Sequence, residues 1–298
     1  MAVLKTSGKK KRRAVITIML LIIAAAVVVS RPGILRQIKN TAQRKGAVPE
    51  GNKVPSALEQ KPVRPEAMQA KPAEKPRAKL AIIIDDVGYP TPLIDKYGKF
   101  QGKLTFSILP FQPESANYAR KLYGAGYEIM IHIPMEPENY PVTEPGRGAL
   151  FVDDSRGEVE HKLKNIIHDI PQASGANNHM GSKATQDHTL MTHTLSYLKT
   201  EGFYFIDSLT TPHSTVKEVA HEIKMQFGYR DIFLDNHNDS VYIENQFEKL
   251  KSVAQENGTA IGIGHIQNED LLSVLNHQAR SLHEEGFELV FVSELIRN

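Results

Sequence analysis

Short apolar segments that alternate with longer amphipathic ones constrain the fold of this 298-residue chain most strongly. A short apolar segment is typical of a buried parallel strand, and a longer one with a 3.6-residue period is typical of a helix. From Leu80 onward the pattern predicts strands near residues 80–85, 103–109, 127–132, 173–178, 203–207, 230–235, 259–264 and 287–292. It predicts helices near residues 113–124, 157–169, 188–201, 214–227, 241–257 and 268–285. Seven or eight such βα units predict an α/β fold, a (β/α) barrel, with a doubly wound sheet as the second architecture.

The two parts of the chain carry opposite charge. Residues 1–79 contain 18 Lys and Arg against 4 Asp and Glu, whereas residues 80–298 contain 18 against 30. All 12 histidines also lie in the second part, which therefore contains most of the candidate chemistry. Its acidic balance argues against a nucleic-acid partner, which would need a basic face. Because the chain has no cysteine, disulfides, thiolate metal sites and a cysteine nucleophile are excluded.

A basic cluster followed by an apolar segment marks the N-terminus. Lys9–Arg13 precedes the uncharged stretch Ala14–Ser30, which has the minimum length for a membrane-spanning helix. The basic cluster on the N-terminal side of this stretch predicts that residues 1–13 stay in the cytoplasm. The rest of the chain is then expected on the extracytoplasmic, periplasmic side. We expect residues 14–30 to be an uncleaved single-pass anchor in the inner membrane. Cleavage at Ala24–Ala26 is the alternative.

Residues 31–79 are predicted to form a linker. The segment is rich in Pro and Lys and shows no apolar periodicity. A segment of this composition cannot bury enough apolar surface to fold, so we expect a disordered, semi-rigid tether. The folded domain is therefore predicted to span residues 80–298.

Polar residues that directly follow the apolar segments are the candidate site residues. In a parallel barrel the carboxyl ends of the strands meet at one rim, so residues distant in sequence converge there. Asp85 and Asp86 follow Ile82–Ile84 directly. Two adjacent carboxylates repel each other unless a cation or a proton separates their roles, although a simple turn is the alternative. The other residues in such positions are His132, Glu136, Asn177, Asn178, His179, Asp207, Ser208, Asp235 and His265.

These residue types point to a divalent metal. Two histidines and one carboxylate form a common open site for zinc, which cobalt, nickel or manganese can also occupy. A second aspartate beside such a site can serve as general base, and a histidine across the rim can protonate a leaving group. Histidines within helical patterns are expected to be structural: His161, His168, His188, His193, His221, His277 and His283.

Several of these segments, in the same order, resemble the divergent polysaccharide deacetylases. The resemblance covers residues 80–298 and implies a distorted (β/α) barrel of seven or eight strands, related to metal-dependent deacetylases of chitin and peptidoglycan. It rests on Ile83-Ile84-Asp85-Asp86-x-Gly88, Thr105–Pro110, His132-Ile133-Pro134-Met135-Glu136, Asn177–Ser182, Phe205-Ile206-Asp207-Ser208 and Arg230–Asp235.

The resemblance also implies individual roles. By analogy with those enzymes, Asp85 is the expected general base, Asp86 a metal ligand and His265 the general acid. The characterised deacetylases place both metal histidines four residues apart, but the position four after His132 is Glu136. The expected ligands are therefore Asp86, His132 and His179, with Glu136 as an oxygen alternative. The expected substrate-contacting or supporting residues are Asn178, Asp207, Ser208, Arg230, Asp235 and Glu136.

The resemblance implies a metal-dependent hydrolase that deacetylates N-acetylated sugars of an envelope polymer, and the N-terminal segment predicts that it is membrane-anchored. The alternative is an envelope protein that keeps the fold but only binds glycan or a protein partner. A third hypothesis is hydrolysis of another ester or amide with the same metal. No nucleic acid is expected among the partners.

Overall fold

A computed structural model of the chain describes residues 77–296, in which parallel strands alternate with helices. The strands are β1 (Ala78–Val87), β2 (Thr105–Ile108), β3 (Glu128–Met135), β4 (Gly175–Met180), β5 (Tyr204–Asp207), β6 (Phe227–Tyr229), β7 (Ile232–Phe233), β8 (Thr259–His265) and β9 (Phe287–Val290). The helices are α1 (Leu93–Tyr97), α2 (Ser115–Gly124), α3 (Arg156–Asp169), α4 (His188–Thr200), α5 (Val216–Glu222), α6 (Ser240–Asn257), α7 (Glu269–Gln278) and α8 (Val292–Ile296), with a 3₁₀ turn at Ala184–Gln186.

The sheet has the order β6-β5-β4-β3-β2-β1-β8-β7, and all its ladders are parallel. The first half of β1 pairs with β9, and its second half pairs with β2. The sheet curls into a half-barrel, and within residues 77–296 no ladder joins β6 to β7, so the barrel is open on that side. This confirms the predicted (β/α) barrel class.

The two faces of the sheet bury separate apolar layers. Successive side chains of a strand point to opposite faces. On β1, Leu80, Ile82 and Ile84 pack in the large outer layer against the helices, whereas Ala81 and Ile83 pack in the small inner layer. On four strands an inner apolar residue is followed two positions later, at the rim, by a polar one: Asp85 after Ile83, His132 after Met130, Ser208 after Ile206 and His265 after Ile263.

The predicted elements need correction near the open side of the sheet. The helix predicted over 214–227 ends at Glu222, because Lys224 adopts a left-handed φ of 55° that no helix can continue. Residues 227–229 then form β6, and only Ile232–Phe233 of the predicted 230–235 strand is a strand.

The last predicted elements are also too long. The helix predicted over 268–285 ends at Gln278, and the strand predicted over 287–292 ends at Val290 before the short helix α8. The helix α1 was outside the predicted set, since its five residues are too few to show a helical period.

The predictions for residues 1–76, including the anchor and most of the linker, lie outside the described residues. The strand β1 begins at Ala78, two positions before the predicted start of the domain. In the described part of the chain, none of the helices has the length and apolar character needed to cross a membrane.

Candidate active site

An irregularity at the end of β1 lets two consecutive aspartates face the same rim. The β1–β2 register shifts between Ile84 and Val87, and Asp86 adopts a φ of 61°. In a regular strand, Asp85 and Asp86 would point to opposite faces. A bulge adds local twist and re-aims a side chain, and aspartate is among the few non-glycine residues that occupy the left-handed region readily. The backbone therefore turns the Asp86 carboxylate toward the side on which Asp85 lies.

Three side chains from three strands converge next to this bulge. Asp86 Oδ1 lies 3.2 Å from His132 Nε2 and 3.0 Å from His179 Nδ1. The two imidazole nitrogens are 3.2 Å apart. We call Asp86, His132 and His179 the rim cluster. Asp86 and His179 are the second-last residues of β1 and β4, whereas His132 lies inside β3, which extends three residues beyond its predicted end. The structure thus brings together the three ligands predicted from the sequence.

The rim cluster fits a divalent cation. Ligand atoms of a tetrahedral zinc site with bonds of about 2.0–2.1 Å lie roughly 3.3 Å apart, close to the separations of this triangle. Asp86 Oδ1 is also buried, and its two contacts with imidazole nitrogens lack hydrogen-bond geometry. An oxygen of this kind needs a positive partner. Burial alone would raise the pKa of the Asp86 carboxyl, but its contacts with the two imidazoles hold it well below its usual range, so Asp86 is ionised at neutral pH.

Asn177 organises the groups behind the rim cluster. Its Nδ2 donates to both Asp85 oxygens, at 3.0 and 3.1 Å, and its Oδ1 lies 2.7 Å from His132 Nδ1. Because a carboxylate only accepts hydrogen bonds, the amide nitrogen must face Asp85 and the amide oxygen must face His132. His132 therefore donates from Nδ1 to Asn177 and directs Nε2 toward the rim cluster.

Asn177 is among the candidate residues predicted from the sequence, but the sequence gives it no specific role, and it is fully buried. The sheet register shows that role, since Asn177 is the residue of β4 paired with His132. Ser107 of β2 was missed, and its hydroxyl donates to Asn177 Oδ1. The register of neighbouring strands decides which side chains these two residues reach, and the sequence pattern does not show that register.

Asp85 is a buried carboxylate beside the rim cluster. It is 2% exposed, and its Oδ2 lies 3.6 Å from His132 Nε2. Burial raises the pKa of Asp85 above its ordinary value, although the charges of His132 and His265 and the Asn177 hydrogen bond oppose that rise. A carboxylate held in this way beside a ligand site has the position of a general base.

His265 and Asp235 form a second pair on the same rim. His265 is the β8 residue in register with Asp85 on β1. Its Nδ1 lies 2.9 Å from Asp235 Oδ1, and its backbone N–H donates to Asp235 Oδ2 at 2.8 Å. Burial alone would lower the pKa of His265, but the hydrogen bond and charge of Asp235, together with the charges of Asp85 and Asp86, raise it to about 9. His265 is thus a cationic acid at neutral pH, oriented through its Nδ1.

Glu136 lies outside the rim cluster. Its Oε1 pairs with Lys183 Nζ at 2.7 Å, and its Oε2 accepts the backbone N–H of Val152 at 2.9 Å. The backbone carbonyl of Glu136 also accepts the N–H groups of Lys183 and Ala184. These contacts tie the loop after β3 to the turn after β4, and both side-chain oxygens are occupied.

Asp207 and Ser208 point to opposite faces at the end of β5. Ser208 Oγ lies on the inner side, 3.3 Å from Asn177 Nδ2. Asp207 instead lines a pocket of about 230 Å³ together with residues of α5 and β6, and its Oδ1 accepts the N–H of Leu209. Burial raises the pKa of the Asp207 carboxyl. The structure therefore separates Asp207 from the rim cluster.

Asn178 and Arg230 hold the backbone around the site. Asn178 Oδ1 accepts the N–H of Ser208 at 2.8 Å, and its Nδ2 donates to the carbonyl of Met180. Arg230 Nε donates to the Ser208 carbonyl at 2.8 Å, and its Nη2 donates to the Leu209 carbonyl at 3.1 Å. Both side chains use backbone partners and position the loop after β5.

A second group of metal-type ligands lies on the helices. Within residues 77–296, His188, Glu218 and Glu222 also bring donor atoms within 4.8 Å of one another. We call them the surface cluster. All three are exposed, and His188 Nε2 lies 3.2 Å from Glu222 Oε2.

Comparison with known proteins identifies the family. The family model of the divergent polysaccharide deacetylases matches residues 82–296, so this chain belongs to that family. Enzymes with this deacetylase fold are generally metal-dependent, and the rim cluster is the buried candidate group for a metal. The fold is shared with a solved structure of the uncharacterized protein ATU2773 from Agrobacterium tumefaciens C58. It has 22% identity and a TM-score of 0.70, and covers 74% of this chain and 89% of that one.

Two relatives are similar in sequence. An uncharacterized protein of Haemophilus influenzae is 34% identical over 225 residues, which cover 74% of this chain and 78% of the relative. The uncharacterized protein YibQ of Escherichia coli K12 is 32% identical over 187 residues, which cover 63% of this chain and 58% of that protein. Neither name assigns a substrate.

Proposed function

We propose that this protein is a metal-dependent hydrolase that removes acetyl groups from N-acetylated amino sugars of an envelope polymer. The observation that carries the proposal is the convergence of Asp86, His132 and His179 beside the buried carboxylate of Asp85. Family membership supports the reaction class. The His265–Asp235 pair on the neighbouring strand supplies the proton donor that cleavage of an amide needs.

Asp86, His132 and His179 would hold the cation. When bound, it supplies Lewis acidity that polarises the carbonyl group of the acetamide. Asp85, held by both hydrogen bonds from Asn177, accepts a proton from the attacking water while the water oxygen bonds to the carbonyl carbon. His265, oriented by Asp235, donates a proton to the amide nitrogen as the C–N bond breaks. The products are acetate and a free amine on the sugar.

The test is release of acetate by the full chain, purified in detergent and loaded with zinc, from N-acetylglucosamine oligomers and from peptidoglycan. We expect turnover by the wild type and a loss of about 100- to 10,000-fold in Asp85→Asn, since general base catalysis contributes roughly 10²–10⁴-fold. Asn keeps the size of the side chain, so metal content should stay near one ion per chain. A zinc-loaded wild type that releases no acetate would overturn the proposal.

The same variant separates catalysis from the alternative function of glycan or protein binding without turnover. In cells that lack the protein, Asp85→Asn should fail to restore envelope integrity if chemistry is required. Full complementation by this variant would favour binding.

We also propose that residues 14–30 anchor the protein in the inner membrane, with the domain in the periplasm. The basic cluster before this apolar segment supports that orientation. A periplasmic reporter fused after Asn298 should be active, and the protein should fractionate with the inner membrane. An inactive fusion would contradict the orientation.

A further inference from the structure

We infer that Phe233 is a positioning residue for His265 and that Arg230 acts through Phe233. This inference rests on the proposed function, in which His265 is the proton donor. It concerns the open side of the half-barrel, where β7 is the edge strand of the sheet.

The His265 imidazole is held at one point by polar contacts. Asp235 accepts from its Nδ1 at 2.9 Å, which fixes the direction of that N–H bond. A single hydrogen bond of this kind leaves the ring able to pivot about the bonded nitrogen. The side chain is also 35% exposed, so the core does not enclose it. A second contact is needed to fix the plane of the ring.

Phe233 supplies that second contact. Its ring stacks on the His265 ring, with centroids 6.0 Å apart and planes inclined by 22°. In the β7–β8 ladder, Phe233 is paired with Ile263, which lies two residues before His265 on the same face. Diagonal neighbours in a sheet lie within reach of aromatic side chains. The contact therefore follows from the register of the two strands.

Arg230 holds the Phe233 ring in turn. The Arg230 guanidinium carbon lies 3.7 Å from the centroid of the Phe233 ring, a close cation–π contact. The same guanidinium donates to the backbone carbonyls of Ser208 and Leu209 after β5. Arg230 thus ties the Phe233 ring to a loop on the far side of the opening, where the described residues form no β6–β7 ladder. Movement of that loop would be transmitted through Phe233 to the His265 ring.

The experiment follows the His265 ring in the full-length, metal-free protein by ¹H–¹³C NMR of the imidazole Cε1–H group. We expect Phe233→Leu to lower the pKa of His265 by about one unit, because a mobile ring keeps a poorer hydrogen bond to Asp235. Phe233→Tyr keeps the aromatic ring and should retain the wild-type value. Arg230→Gln should shift the pKa in the same direction as Phe233→Leu, but less.

Phe227→Leu is the matched control. Phe227 on β6 packs edge-on against a different histidine, His221, with ring centroids 5.0 Å apart. The Phe227→Leu substitution should leave the His265 resonance and pKa unchanged.

In turnover assays, Phe233→Leu should lower kcat about tenfold with little change in KM, while metal content stays at the wild-type level.

An unchanged His265 pKa in both Phe233→Leu and Arg230→Gln would overturn the inference. If Phe233→Leu does not fold, Arg230→Gln decides alone, since it leaves the aromatic ring in place. The NMR measurement requires no turnover. A protein without deacetylase activity would therefore refute the proposed function while still reporting whether Phe233 positions His265.

Discussion

The rim cluster and the surface cluster contain the same kinds of ligand atom but differ in what surrounds them. His132 is 3% exposed, and Asn177 fixes its tautomer from behind, whereas His188 is nearly half exposed and pairs with one exposed carboxylate. A buried charge without a partner is costly, while an exposed ion pair contributes little. Proximity of ligand atoms is therefore a weak sign of a metal site. Burial and an ordered second layer of hydrogen bonds distinguish the two clusters.

The largest effect should come from removing one ligand of each cluster in turn. Asp86→Asn tolerates the left-handed backbone and keeps the size of the side chain, but it replaces a charged ligand. We expect zinc affinity to fall by more than about 100-fold, beyond the roughly 10- to 100-fold loss typical of second-layer changes. Glu222→Gln, the matched change in the surface cluster, should leave affinity unchanged. Calorimetric titration with zinc measures both.

Equal losses in the two variants would show that burial does not distinguish the clusters. Retention of full affinity in Asp86→Asn would remove the rim cluster as the metal site.

An intermediate effect should come from the layer behind the rim cluster. Asn177→Ala leaves His132, Asp85 and Ser107 without a shared partner. We expect zinc affinity to fall about 10- to 100-fold and the free energy of unfolding to fall by about 2 kcal/mol. The adjacent Asn178→Ala should cost stability without changing affinity, since the Asn178 side chain bonds only to the backbone of Ser208 and Met180 among the described residues. Equal affinities in the two variants would contradict the role of Asn177.

The smallest effect concerns the pH dependence of stability in the metal-free protein. The pKa of His265 is about 9 in the folded state, above the value of about 6.5 expected for an unfolded chain. Protonated His265 therefore contributes its full stabilisation of the folded state below pH 6.5, and this contribution is lost as the pH rises through 9. Because a third of the side chain is exposed, we expect only about 1 kcal/mol.

Asp235→Asn should remove most of this dependence. Urea unfolding at pH 6 and at pH 10 should show a stability gap between wild type and variant that narrows at the higher pH. A gap that widens would contradict the assigned direction. His188 in the surface cluster offers the contrast, since His188→Ala should change stability by less than about 0.5 kcal/mol at either pH.

Sequence reasoning finds the fold and the rim cluster because polar residues end apolar segments in a regular βα order. It does not resolve which face such a residue occupies. Asp207 and Ser208 both follow an apolar segment, yet strand alternation sends only Ser208 toward Asn177. Asp85 and Asp86 would have been separated by the same alternation without the bulge. The strand β6 escapes detection because its three residues follow a helix closely and lack a period of their own.

The ligands of the rim cluster come from strands widely separated along the chain, with no two of them on one segment. An unfolded chain therefore offers no local chelate, and an ion could bind there only after β1, β3 and β4 have come together in the sheet. Metal affinity then adds directly to folding stability through mass action. This has a practical consequence for a chain that binds its metal at the rim cluster. The concentration of free zinc where the chain folds would set its lifetime against proteolysis, and loaded metal would report that the half-barrel is assembled.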